Sequence, residues 1–304
     1  MTEPLPAVAL AAVPGRRKWT LELASEIEER GFSGIYCASF GDGLGLCEAI
    51  ALTTERIHIG TAIVNIYSRH VSEYAVAASL IHELSDGRFH FGVGVSHEPM
   101  NRRLGVTTGK PLADMRRFVT DLQAVPRAGD APPLVIAGLR QKMVALAGEL
   151  GEGVVFANVA RSHLKRSLDA LPAEVRSDPD FFIGDMIPTC ISDDLEAAAA
   201  VCRRTLSGYV TLPNYRNYWK EAGYVEEMEA IESALEKGER ERLPELMSEA
   251  WLNDTTLYGP PTKVLEGLEA WRDAGLRTPI LVPSSAVGKQ PKAFEELFAL
   301  FEAS

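Results

Sequence analysis

The stretch HELSDGRFHFGVGVSHEPM, residues 82–100, sets the reading of this chain. Ser85-Asp86-Gly87 has turn chemistry and leads into an apolar run, RFHFGVGV, at 88–95. Side chains alternate along a strand, so His90, Gly92, Gly94 and Ser96 share one face, and Phe89, Phe91, Val93 and Val95 the other. If the bulky set packs against helices, the glycine set lines the inside. Two glycines near the carboxyl end of that inner face predict a hollow in the zone where barrel enzymes bind ligands. The alternative is that they only relieve crowding at a barrel corner. A dinucleotide fingerprint is excluded. GVGVSH puts His97 where the third glycine of G-x-G-x-x-G belongs, and the following EPMNRRLG does not read as a helix start.

The same kind of run recurs along the chain. After a first strand in PAVALAAV come strand-like runs at 33–39, 56–66, 88–95, 133–139, 153–159, 180–188 and 278–284. Helical stretches at 18–30, 46–55, 72–84, 112–124, 141–150, 161–171, 193–206 and 292–301 alternate with them. The strands are near-continuous apolar runs, as expected when both faces are covered. Eight β-then-α units predict an α/β fold, a closed (β/α)8 TIM barrel in one domain over 1–304, in preference to an open doubly wound sheet. Residues 207–258 break the rhythm with a helical, aromatic, Glu-rich insertion after the seventh strand. It reads either as a lid carrying Tyr215, Tyr218 and Trp219 over the barrel mouth, or as a solvated excursion or dimer surface.

Composition narrows the function classes. A formal charge of −11 argues against nucleic acid and anionic membrane as partners. No apolar run approaches the ~20 residues of a membrane span. The early apolar run has Glu3 before it and Arg16, Arg17 and Lys18 after it, the reverse of a signal peptide. Cys37, Cys47, Cys190 and Cys202 form no C-x-x-C pair and read as reduced thiols of a cytoplasmic protein. The six histidines include no H-E-x-x-H pair, so no metal is expected, and neither G-x-S-x-G nor a P-loop occurs. At the third strand, TAIVNIYSRHVSEYA (61–75) sets Asn65, Tyr67, Ser68, Arg69 and His70 where ligand contacts belong, unless they solvate a loop and Ser72 caps the next helix.

Taken together, IGTAIVNIYSRH, LSDGRFHFGVGVSH, the downstream RLGV and KMVALAGELGEGVVF resemble the luciferase-like flavin and deazaflavin barrel family. Within it they are most like the branch that uses coenzyme F420, the group of methylene-tetrahydromethanopterin reductase. The resemblance implies a non-proline cis peptide at Ala62-Ile63, with Val64 and Asn65 beside the cofactor ring. It implies that Gly94, Val95, Ser96 and His97 line the cofactor. It also implies that Gly138, Leu139, Arg140, Gln141 and Lys142 anchor its phosphate at a helix start, with Cys37 and Asn158 as further cofactor contacts. Relatives commonly have Gly-Pro where this chain has Arg140-Gln141, and often an acid or histidine where its first two strands end in AAVPG and YCASF. Proline often follows the position of His70, where this chain has Val71.

The resemblance implies an F420-dependent oxidoreductase that transfers hydride between a deazaflavin and a small organic substrate. The alternatives are an FMN-dependent monooxygenase on the same barrel and a cofactor-free barrel acting as a binding or partner subunit. Hydride transfer needs a proton donor or base. The candidates are His97 and Glu98, then His70, with Cys37 and Tyr67 behind them. Arg102, Arg103 and Lys110 could form a basic rim with Arg140 for an anionic cofactor tail, or a solvated surface. Relatives form dimers, so a homodimer is expected.

Overall fold

A computed structural model describes residues 4–39 and 41–302. Glu3, and Phe40 in the YCASF run, lie outside the described residues. The strands are β1 (Ala7–Leu10), β2 (Gly34–Cys37), β3 (His58–Thr61), β4 (Val64–Asn65), β5 (Phe89–Gly94), β6 (Leu134–Ala137), β7 (Gly153–Ala157), β8 (Phe182–Ile191), β9 (Leu257–Gly259) and β10 (Thr278–Ser284). The first helices are α1 (Arg17–Glu29), α2 (Gly43–Thr53), α3 (Val71–Leu84), α4 (Glu98–Arg103), α5 (Pro111–Gln123), α6 (Gln141–Leu150) and α7 (Arg161–Leu168). They are followed by α8 (Ala173–Ser177), α9 (Leu195–Leu206), α10 (Pro213–Glu221), α11 (Val225–Glu236), α12 (Glu249–Thr255), α13 (Pro261–Asp273) and α14 (Gln290–Glu302).

The strand order is β10-β1-β2-β3-β5-β6-β7-β8-β9, β4 continues the β3 position beside β5, and β10 also pairs with β8. The sheet therefore closes, and the expected (β/α)8 barrel is what the chain forms. Besides the short helix α8, three elements fall outside the sequence reading. The residues after His97 do open a short helix, α4, with Pro99 in its first turn, where prolines fit because they lack an N–H that would be unpaired anyway. The other two, β9 and α13, lie between the insertion and the last strand.

By its internal packing the chain falls into two compact units. One runs through Phe156 and includes Leu168–Gly184; the other holds Ala157–Ser167 and the chain from Asp185 onward. In the first unit the two faces of β5 divide as the alternation predicts. His90 faces inward, with Tyr36 donating to or accepting from its Nδ1 at 3.1 Å and Phe182 edge-on at 5.2 Å. Burial, then the neighbouring His58 and His82, pushes His90 down to about 4, so it is neutral. Phe91 faces outward against Tyr74 of α3, which packs edge-on against Phe118 of α5 at 5.8 Å.

The third strand is split. β3 pairs with β5 through Ile59 and Gly60, and β4 resumes pairing at Val64 and Asn65, while Ala62-Ile63 between them is cis. A Cβ on Gly92 would lie 1.7 Å from the Thr61 carbonyl oxygen, far closer than non-bonded heavy atoms can approach, and the Thr61 hydroxyl donates to the Gly92 carbonyl at 2.7 Å. A Cβ on Gly94 would meet Ile63 Cδ1 and Ala137 Cβ at 3.0 Å each. The hollow expected at these glycines is therefore filled. The missing side chains admit the displaced backbone of the neighbouring strand and its Ile63.

In the second unit the insertion is not a lid bearing exposed aromatics. Tyr215, Tyr218 and Trp219 are buried and serve as its core. Trp219 stands perpendicular to Trp251 at 4.8 Å and donates its indole N–H to the Asn158 carbonyl at 3.1 Å. Tyr218 accepts from the Ala160 N–H at 3.2 Å. Asp254 of α12 accepts from the Ser162 N–H at 2.9 Å, the Ser162 hydroxyl at 2.6 Å and the Tyr224 hydroxyl at 2.8 Å. These bonds fix the insertion to the segment 158–162 of the same unit.

Two predictions follow from this packing. Gly92→Ala must drive Thr61 out of place, so it is expected to lower stability by about 3 kcal/mol or more in chemical denaturation, with Gly94→Ala milder because side chains can yield. Equal effects would contradict the assignment. Asp185 in β8 is fully buried, and among the described residues neither carboxyl oxygen completes a hydrogen bond. Burial raises its pKa well above the usual carboxylate value, with the Val159 N–H offsetting this only in part. The unfolded chain releases that proton near pH 4 and the folded chain does not, so wild-type stability falls as pH rises above that point. Asp185→Asn should therefore gain on wild type by about 1.4 kcal/mol per pH unit between the two pKa values, and a pH-independent difference would contradict this.

Candidate functional site

The carboxyl ends of β4, β5 and β6 lie side by side in the first unit. Asn65 pairs with Gly94 and Val93 with Ile136, which sets Ile63, Gly94 and Ala137 in a row across three strands. Ile63 and Val64 are half-buried, whereas Ala62 is buried and donates its N–H to the Cys37 carbonyl at 2.9 Å. The Ile63 carbonyl accepts from the Ser39 hydroxyl at 2.6 Å. This rim is apolar, and its backbone polar groups are largely committed.

Past Gly94 the chain turns sharply. Ser96 has φ 56°, the left-handed region that non-glycine residues seldom adopt and that recurs at ligand sites. His97 follows, half-buried, and its carbonyl accepts from the N–H groups of Met100 and Asn101 at 3.0 Å to start α4. Burial lowers the His97 pKa, so its imidazole is neutral at neutral pH and suits a base or a hydrogen-bonding group better than an acid.

Two polar clusters hold these turns. Asn65 donates to Asn101 Oδ1 at 2.8 Å, and Asn101 donates to the Val95 carbonyl at 3.0 Å. The buried Asp114 carboxylate accepts from the Tyr67 hydroxyl at 2.6 Å, the Gly109 N–H at 2.6 Å and Arg117 at 2.8 Å. Burial, and then the Asp114 carboxylate, raises the Tyr67 pKa, so its phenol stays protonated and committed to Asp114. Neither Asn101 nor Asp114 stands out in the sequence. Each sits among charged neighbours, and only the fold shows that its side chain turns inward.

After β6, Gly138 donates its N–H to the Val155 carbonyl at 3.0 Å and packs against Val144 and Val154, so its own N–H is not offered to a ligand. Leu139 is half-buried. Arg140 is the extended residue before α6, and Arg140, Gln141 and Lys142 are all exposed. The first turn of a helix has no intrahelical acceptor for its N–H groups and carries the positive dipole end. Gln141 and Lys142 form this first turn and Arg140 directly precedes it, which makes a cationic corner after β6.

Other expected residues lie elsewhere. Glu98 is exposed and paired with Arg102. His70 is exposed and caps α3, its Nδ1 accepting from the Ser72 N–H at 3.3 Å, so the helix cap is His70 and not Ser72. Arg103 and Lys110 are solvated. Cys37 does not face the inner side. Tyr36 is the residue of β2 that meets His90 and Phe182, so Cys37 points to α2, where a Cβ on Gly43 would sit 3.9 Å from its own. There Cys47 has its pKa raised by burial and then by the adjacent Cys37. Asn158 belongs to the second unit, is buried at φ 56° and has Tyr209 and Tyr215 as side-chain neighbours. Among the described residues no group of three or more His, Cys, Asp or Glu could hold a metal ion, and no helix is long and apolar enough to cross a membrane.

Comparison with known proteins agrees with this architecture. The chain is 25% identical to the 5,10-methylenetetrahydromethanopterin reductase of Archaeoglobus fulgidus, over 80% of this chain and 81% of that protein. The coenzyme F420-dependent tetrahydromethanopterin reductase of Methanopyrus kandleri shares the fold with a TM-score of 0.78 at 17% identity, covering 98% of each chain. The FMN complex of the oxygenating constituent of 3,6-diketocamphane monooxygenase from Pseudomonas putida does so with a TM-score of 0.66 at 14% identity, covering 99% of this chain and 97% of that one. The luciferase-like monooxygenase profile matches residues 9–278, nearly the whole barrel, and the chain belongs to that family.

Proposed function

We propose that this protein is an oxidoreductase that binds coenzyme F420 and moves hydride between it and a small organic substrate. The observation that carries this reading is the line from an apolar rim at Ile63, Gly94 and Ala137 to the cationic start of α6 at Arg140, Gln141 and Lys142. A flat ring with an anionic tail has matching needs: apolar contact at one end, and N–H groups and positive charge at the other. The Methanopyrus kandleri structure is of a coenzyme F420-dependent reductase, and the Archaeoglobus fulgidus relative is named as a reductase.

When bound, the deazaflavin supplies paired electrons as hydride, and the chain's own residues orient and protect it. Ile63 and Val64 would bear on the ring. Arg140 would hold the phosphate in place of the Gly-Pro common in relatives. His97, kept neutral by burial, is the candidate base for a substrate hydroxyl. FMN, bound in the Pseudomonas putida structure, would make similar demands of the same rim and corner, and is the second reading.

Fluorescence titration separates these. Saturable F420 binding, about tenfold or more tighter than FMN, and weakened about tenfold by Arg140→Glu, is expected. Tighter FMN binding would favour the monooxygenase, and binding of neither would favour a cofactor-free partner subunit.

We further propose a homodimer through α2 and α3, which pack together. Val76, Leu80 and Leu84 recur every fourth residue on the exposed face of α3, with Leu52 of α2 66% exposed beside that helix pair. A single apolar stripe of this kind is self-complementary about a two-fold axis. Light scattering should give twice the 33.1 kDa chain mass for wild type and the single mass for Leu80→Lys; a monomeric wild type would contradict the proposal.

A further inference from the structure

We propose that Asn101 is a positioning residue that locks the His97 turn to the rim strand β4, an inference that rests on the cofactor reading above. The short helix α4 is exposed along its length except for Asn101, which is 5% exposed. Six residues of solvated helix do not hold themselves in place. What holds this one is the Asn101 amide. Its Nδ2 donates to the Val95 carbonyl at 3.0 Å, and its Oδ1 accepts from Asn65 Nδ2 at 2.8 Å. Its backbone N–H donates to the His97 carbonyl at 3.0 Å.

Val95 to Asn101 is thus closed into a ring that contains the left-handed Ser96 and His97. The ring is tied to β4 through Asn65, which is itself fixed by the Tyr74 hydroxyl on its carbonyl at 2.6 Å and the Tyr67 N–H on its Oδ1 at 3.1 Å. An amide is needed because one end must donate and the other accept. Aspartate would keep the bond from Asn65 but set a carboxylate against the Val95 carbonyl. Leucine would make neither bond.

The test compares full-length wild type, Asn101→Asp and Asn101→Leu after thermal melts establish which are folded. Cofactor affinity is read by titration with F420 and FMN, and backbone amide exchange by mass spectrometry. A folded variant should lose about tenfold or more in affinity for whichever cofactor wild type binds. Amides of 96–101 should exchange about tenfold faster, with α3 and α5 unchanged. If the leucine variant does not fold, the aspartate variant, which keeps the Asn65 bond, decides. Wild-type affinity and exchange in a folded variant would overturn the proposal, as would acceleration spread evenly over α3 and α5. If wild type binds neither cofactor, the functional reading falls on its own. Exchange confined to 96–101 would then still support the lock, and unchanged exchange there would overturn it.

Discussion

The Thr61 carbonyl occupies the space that a side chain at position 92 would need, with 1.7 Å between that oxygen and the place of a Cβ. Most of the first unit's rim depends on this approach. It lets the third barrel strand leave regular pairing after Thr61 and resume at Val64, and it sets Ile63 beside Gly94. Polar groups near the break are then met from outside the ladder, by Ser39 on the Ile63 carbonyl and by Asn101 and Tyr74 on Asn65. Glycine at 92 and 94 is a packing requirement of the strand next door.

That arrangement divides labour within the unit. The inner layer below the rim packs Tyr36, His90 and Phe182 together, with His90 uncharged. At the start of α6, Arg140 and Lys142 stand beside N–H groups that the helix geometry leaves without intrahelical acceptors. In the proposed function an overall acidic chain holds its anionic ligand through local positive potential, from Arg140, Lys142 and the helix end.

Much of the barrel was legible from the residues. Apolar runs with turn residues between them located the strands, α6 at 141–150 and β10 at 278–284 coincide with the sequence reading, and alternation sorted the faces of β5 correctly. What alternation cannot convey is what fills the space beside a glycine, so a hollow and relief of crowding both stood open, and the neighbouring backbone at Gly92 decides for crowding. The same blindness applies to Cys37, whose side is set by where Tyr36 packs, and to Asn101, a polar residue in a charged hexapeptide. For Tyr215, Tyr218 and Trp219 the sequence left a lid and a solvated excursion or dimer surface both open, and their burial against residues 158–160 and Trp251 shows them to be core. The short strand β9 and helix α13 carry patterns too brief or too mixed to stand out between an insertion and a final strand.

In the proposed function the β4 rim, the His97 turn and the start of α6 together receive a ring and its phosphate. Hydrogen exchange of the intact protein with and without saturating F420 or FMN tests this most directly. The account predicts protection on cofactor addition at three places only: 62–66, 95–101 and 139–144. Protection centred on other segments, or exchange in all three that ignores a cofactor shown to be bound, would contradict it.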